Sequence, residues 1–195
     1  MCTLNNKNRP NTILAMPSKL SIARTIRLDP EVDKIIRQEA EQSGLTHTAV
    51  TTKALRKYAH FDRFADKIGS LTVSKETLSR ILSFLSDEEA EIVGSVANFA
   101  GKNSRQYMSL IVGGTSIEDF FNLLQVLSTY AHLFEFEHKI EGSKHHLIFA
   151  HNMGSKWTSF LQGAMQSTLK EVYGMRARFE KTESFLTMIF ETKST

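Results

Sequence analysis

The sequence predicts an α+β protein in which a small strand-helix-turn-helix module precedes a larger domain of helices and antiparallel strands. Three observations carry that reading. Residues 21 to 28 alternate in polarity and run straight into two capped amphipathic stretches. Residues 133 to 151 and 176 to 191 each read as a hairpin, with one long apolar helix between them. The charge is also divided, since residues 1 to 62 hold ten Lys or Arg against six acids and residues 63 to 195 hold fourteen against fifteen. We therefore expect a flexible basic arm over 1–20, a module with a connector helix over 21–68, and a C-terminal α+β domain over 69–195 for regulation or oligomerisation.

In the module, Ile22, Ile26 and Leu28 share one face of the expected strand, and Ser21, Ala23, Thr25 and Arg27 share the other. Arg24 interrupts the apolar face. Asp29 is placed to cap a helix, Pro30 suits its first position, and Glu31 and Asp33 sit where the helix dipole favours acids. Val32, Ile35, Ile36 and Ala40 then follow the spacing of one buried stripe, and Gly44 is placed to end it. Thr46 and Thr48 can each cap a second helix, whose stripe is Val50, Ala54, Leu55 and Tyr58. The pattern continues through Phe61, Phe64, Ala65 and Ile68, which predicts an extension toward the next domain.

One strand and two helices cannot bury their own apolar faces, and an isolated strand has no ladder partner for its backbone groups. A second copy would supply both. Two such strands form an antiparallel ribbon that fits the major groove of double-stranded DNA. The order RTIRLDPEV followed by GLTHTAVTTKAL resembles the ribbon-helix-helix (MetJ/Arc-type) family of DNA-binding repressors. That resemblance covers roughly residues 21 to 60 and implies an intertwined homodimer. It also implies that Ala23, Thr25 and Arg27 read bases, and that the turn at Thr46, His47 and Thr48 clamps a phosphate through helix amides. Ala23 offers only a methyl group, so readout rests on Thr25 and Arg27. Arg24 and Lys19 add positive charge beside the ribbon. A sequence pI near 9.0, doubled in a dimer, suits a phosphate-binding face.

Composition is that of an ordinary soluble chain, at 41% hydrophobic and 23% charged residues. No apolar run approaches the roughly 20 residues of a membrane span, and Met1 to Leu20 lacks a signal-peptide core. A cytoplasmic protein without membrane contact is expected. The single Cys2 excludes an intramolecular disulfide and a cysteine zinc site.

Leu71–Val73 reads as a short strand. Ser74 with Thr77 opens a helix carrying Leu78, Ile81, Leu82 and Leu85. Ser86 with Glu89 forms a capping box for another, running to about Ala100, where Gly101 ends it. A helix over 105–112 follows, then one from Ile117 to about Leu133, capped by Thr115 or Ser116 and densely apolar. FEFEHKI and HHLIFAH alternate around EGSK. Ser155 is read as the cap of a helix over Lys156–Val172 that Gly174 closes, and RARFEKT and SFLTMIFE make the second hairpin. The prediction is a strand-strand-helix-strand-strand, four-stranded antiparallel sheet with the Trp157 helix on one face.

Five of the seven histidines, His132, His138, His145, His146 and His151, lie within twenty residues. Nickel-responsive members of the ribbon-helix-helix family use histidines of a C-terminal sheet domain, which makes His138, His145, His146 and His151 the metal candidates. By alternation His138 lies on the face of Phe134 and Phe136, and His145 and His151 lie on the face of Leu147 and Phe149. His146 points the other way. They do not all converge and no cysteine stands among them, so they read as polar or interface histidines, with a pH-sensitive contact as a further reading. No cofactor is expected.

The helices-then-hairpins order is similar, in topology only, to sensing folds of the haem nitric-oxide-binding and vinyl-reductase-like type, which implies a pocket between helices and sheet. In that reading Asn152, Lys156 and Trp157 at the HNMGSKW corner would meet a small-molecule effector with an anionic group. No catalytic motif is present: G-x-S-x-G, H-E-x-x-H and G-x-x-x-x-G-K-[ST] are all missing, which argues against an enzyme. Two classes of function remain. One is a transcriptional regulator that binds DNA as a homodimer or dimer of dimers. The other is a protein-interaction module, such as an antitoxin or archaeal-type assembly factor; antitoxins of this family carry short disordered tails, whereas some 130 residues here are patterned to fold.

Overall fold

In the computed structural model, residues 22–64, 67–97 and 99–192 are described. The chain is mixed α+β and divides into two compact units, one ending at His47 and one beginning at Thr48. The division falls inside the expected module, so that all but the first residue of its second helix belongs to the larger unit.

In the first unit, α1 spans Pro30–Ser43, with Pro30 in its opening position and Glu31 and Asp33 in its first turn. Gly44 ends it at φ 66°, where its N–H donates to the carbonyls of Ala40 and Glu41, so the expected left-handed stop is present. Asp29 occupies the cap position, but its side chain makes no capping hydrogen bond. Ile22–Asp29 forms no strand; Asp29, just ahead of α1, has extended backbone angles (φ −64°, ψ 146°). Ser21 and the basic arm lie outside the described residues.

In the second unit, α2 (His47–His60) stops eight residues short of the expected Ile68 and gives way to a 3₁₀ turn over Asp62–Phe64. The Lys57 ammonium reaches Asp62 across this turn, and Phe64 is buried, so burying an aromatic ring overrides the helical pattern. Leu71–Val73 is not a strand: Leu71 is exposed and no strand pairs with this stretch. Four helices follow as α3 (Lys75–Leu82), α4 (Asp87–Ser95), α5 (Ser104–Val112) and α6 (Ile117–Val126). Ser74 caps α3 by accepting from the Thr77 N–H. Ser86 and Glu89 form the expected capping box, and Ser116 forms a second one with Asp119. Helix α4 ends five residues before the expected Ala100. A π turn over Leu127–Ala131 continues α6 and ends at His132, which has φ 53°.

Strands β1 (Glu135–Glu141) and β2 (Lys144–Ala150) form the first hairpin, and β3 (Arg178–Lys181) and β4 (Phe185–Glu191) the second. All pairs are antiparallel, in the order β1-β2-β4-β3. Helix α7 (Ser155–Tyr173) joins the hairpins, with Gly154 rather than Ser155 in its cap position and Gly174 ending it at φ 65°. The registers His138↔Leu147↔Met188 and Phe136↔Phe149↔Leu186 place one apolar side of the sheet in a single core with α7, α5 and α6. Trp157, Leu161, Phe149 and Phe120 are among its fully enclosed side chains, each worth roughly 1.5–3 kcal/mol of apolar burial.

Helices α4 and α7 approach so closely that a Cβ on Gly94 would overlap the Phe160 carbonyl, and one on Gly163 would overlap the Glu91 carbonyl. Reciprocal glycines therefore set this crossing. No single helix among the described residues is long and apolar enough to cross a membrane. One pair bent by 73°, Gly101–Val112 with Ile117–Ala131, has the length and composition together; here Met108, Phe120, Leu123 and Leu127 of that pair are buried in the core.

Candidate functional site

The expected DNA-reading residues Ala23, Arg24, Thr25 and Arg27 are exposed on the segment ahead of α1. Arg24 turns its guanidinium to the Ala23 carbonyl at 3.2 Å. Lys19 lies outside the described residues. Thr46 immediately precedes α2, and His47 and Thr48 are its first two residues. The His47 imidazole lies 3.1 Å from the Asp33 carboxylate, which also accepts from Arg37 at 2.7 Å. The Arg37 guanidinium holds the Asp33 carboxyl below the usual carboxylate range, with His47 acting in the same sense and partial desolvation opposing both. His47, the last residue of the first unit, is thus held against the first turn of α1.

Most of the large apolar residues of this unit face outward. Ile22 is 73% exposed and Ile35 57%, with Ile26, Val32 and Leu45 also exposed, whereas Ala40 is the buried apolar residue of the unit among those described. Of these, Ile22, Ile26, Val32 and Ile35 are residues the sequence assigns to the inner faces of the strand and first helix, whose other members Leu28 and Ile36 are half-buried. Scattered exposed apolar side chains are ordinary, but five in a stretch of 24 residues that has almost no interior call for a cover.

At the other end of the chain, the corner expected to hold a ligand is built differently. The Lys156 ammonium is paired with Asp87 at 2.9 Å, which already offsets the positive charge expected to attract an anion. That ammonium holds the Asp87 carboxyl below its usual range. Trp157 is 2% exposed; its indole N–H donates to the Leu133 carbonyl at 3.1 Å and its ring stacks on Phe160. It is core. Asn152 is exposed, between β2 and α7.

The histidines separate as alternation implies. His138 and His145 lie on the core side of the sheet, share a hydrogen bond of 2.9 Å, and pack with the rings of Phe121 and Phe190. His145 also reaches the Thr192 hydroxyl at 3.1 Å. Burial lowers the His138 pKa, with the neighbouring His145 adding to it; burial lowers that of His145 against the pull of Glu118. His146 points to the opposite side, 3.6 Å from Glu141. Among the described residues, no three His, Cys, Asp or Glu side chains gather as a metal-ligand set.

His151 does structural work at the β2–α7 corner. The Thr158 hydroxyl donates to the Thr182 carbonyl at 2.9 Å, so the His151 Nε2–H donates to Thr158 and its Nδ1 accepts from the Met153 N–H. That arrangement needs a neutral ring. Burial, helped by the Lys75 charge, pushes its pKa down to about 4.

Beside this corner runs an open furrow of about 360 Å³ whose walls include Lys75, Ser128, His132, Glu135 and Asn152. Sequence reasoning missed it. Asn152 was in view, but nothing in the apolar period distinguishes a π turn from a continued α-helix, and His132 was read only as one of a histidine cluster. The single sequence signal was a histidine, a residue type enriched at left-handed positions, standing where a helix meets a strand.

Compared with models of known protein families and with curated proteins, the chain matches none.

Proposed function

We propose that the chain is a homodimeric, sequence-specific DNA-binding transcriptional regulator. In this reading two copies pair residues 22–28 into an antiparallel ribbon that enters the major groove, and the second unit serves oligomerisation or effector sensing. The observation that carries it is the combination, in one short stretch, of a segment with alternating polarity and no strand partner, exposed Arg24 and Arg27, and outward-facing Ile22, Ile26 and Ile35. A second copy satisfies all three at once. Pairing would occupy the unladdered backbone groups, cover the isoleucines, and place Thr25 and Arg27 of both chains on one outward face.

The excess of basic charge in residues 1 to 62 supports an anionic partner. Phosphate contacts from Arg24 and the Thr46–Thr48 turn would set the position of the module, while Thr25 and Arg27 would discriminate bases. With a methyl group at Ala23, sequence preference rests on few contacts. The test is genomic pull-down sequencing with the full chain. Enriched sites with two-fold symmetry are expected, and Arg27→Ala should lower affinity for them by about 1–3 kcal/mol while leaving the dimer intact. Absence of any enriched site would end this reading.

A further inference from the structure

We propose that the furrow around Lys75, Asn152 and Glu135 binds a small zwitterion of the amino-acid class, and that the π turn ending at His132 is the element that responds to it. A volume of about 360 Å³ is enough for such a molecule. Lys75 and Asn152 also line an adjoining furrow of about 690 Å³, so there is room for side chains of different length. The charge pattern selects the ligand class. Among the described residues, neither the Lys75 ammonium nor the Glu135 carboxylate is in an ion pair or hydrogen bond. A simple anion would meet Glu135 and a simple cation would meet Lys75, whereas a molecule carrying both charges can complement both. Asn152 and Ser128, likewise without side-chain partners, add a donor and acceptors to orient it. His151 is turned inward to Thr158 and forms a neutral wall, not a ligand group.

Two uncommon backbone features meet at this furrow. The π turn Leu127–Ala131 is followed directly by His132 at φ 53°, a left-handed conformation that costs a residue with a Cβ about 1–2 kcal/mol. Both of its flanks are wired outward. Tyr130 stacks on His60, the last residue of α2, with ring centroids 6.0 Å apart and planes 11° apart. The Leu133 carbonyl accepts the Trp157 indole N–H. A ligand that bridges Ser128 and Lys75 would therefore shift a segment in contact with both α2 and the tryptophan. The consequence for α2 rests on the regulator reading above; the binding site does not.

Trp157 is the chain's single tryptophan, so its fluorescence reports on residue 133 without labelling. The full chain is titrated separately with each common amino acid, with acetate and propylammonium as single-charge controls, and binding is confirmed by calorimetry. At least one amino acid should give a saturable signal, with the controls weaker by about tenfold or more, one missing charge contact being worth at least that factor. Lys75→Ala and Glu135→Gln alter exposed side chains and should each weaken binding by a similar factor. Three results would overturn the site: no saturable binding of any amino acid by either method, undiminished binding in both variants, or acetate binding as tightly as the amino acid. Amino-acid binding without enriched genomic sites would sink the regulator reading and leave this site standing; the reverse result would remove the site alone.

Discussion

The two units of this chain differ in how much of their apolar surface they enclose. The second has a continuous core in which Trp157, Phe149, Leu147, Met188 and Phe120 are closed off from water. In the first, Ala40 is the buried apolar residue among those described, while isoleucines that the pattern assigns to its interior face outward. A core built from one copy is complete in one case and absent in the other. The physical lesson is that a short segment and one helix bury too little to offset the entropy of ordering them, and the proposed pairing of two copies is what would supply the missing cover.

Substitutions should fall on opposite sides of that contrast. The largest effect is expected in the enclosed core, where Phe149→Ala should cost about 3–5 kcal/mol in chemical denaturation. Gly163→Ala comes next, at about 1–3 kcal/mol, because the added methyl meets the Glu91 backbone at the α4–α7 crossing and neither helix can yield alone. If Gly163→Ala is as stable as the parent, the close crossing is not real. Ile35→Asp should behave in the opposite way. It should leave the main unfolding transition in place and, if two copies pair as proposed, raise the dimer dissociation constant about a hundredfold, from ~1.5–3 kcal/mol of lost apolar burial and a carboxylate that resists burial; sedimentation across a dilution series reads this. Ser86→Ala removes a hydroxyl that accepts the Glu89 N–H and should cost about 1 kcal/mol.

Acid should act mainly on the second unit. The folded-state pKa of His151 lies near 4, below the usual 6.5, so the unfolded chain takes up its proton first as pH falls. Stability contributed by the neutral ring is complete above pH 6.5 and is lost as pH drops toward 4, by about 1 kcal/mol once solvent screening is allowed for. The lowered pKa values of His138 and His145 act in the same direction. Denaturation at pH 7 and pH 5 should therefore differ less in His151→Gln than in the parent.

Much of the second unit was legible in its sequence because local chemistry and tertiary packing agree there. Strict alternation marked β1, the turn residues Thr182, Glu183 and Ser184 between RARFEKT and SFLTMIFE marked the second hairpin, and the capping box at Ser86 marked the start of α4. Where packing overrode local pattern, the reading failed. The period through Phe61 and Phe64 continues a helix on paper, but enclosing Phe64 required a turn. Lys156 looked unpaired because its partner Asp87 is 69 residues away in sequence. The furrow was invisible for a related reason, since Lys75, His132 and Asn152 are joined only by the fold.

The first unit poses the central question, and amide hydrogen exchange of residues 22–28 answers it most directly. If two copies pair these segments, the ladder amides should be protected at concentrations that favour the dimer, and protection should vanish on dilution and in Ile35→Asp. Exchange at the rate of an open chain at every concentration would contradict the ribbon and, with it, the proposed route to DNA.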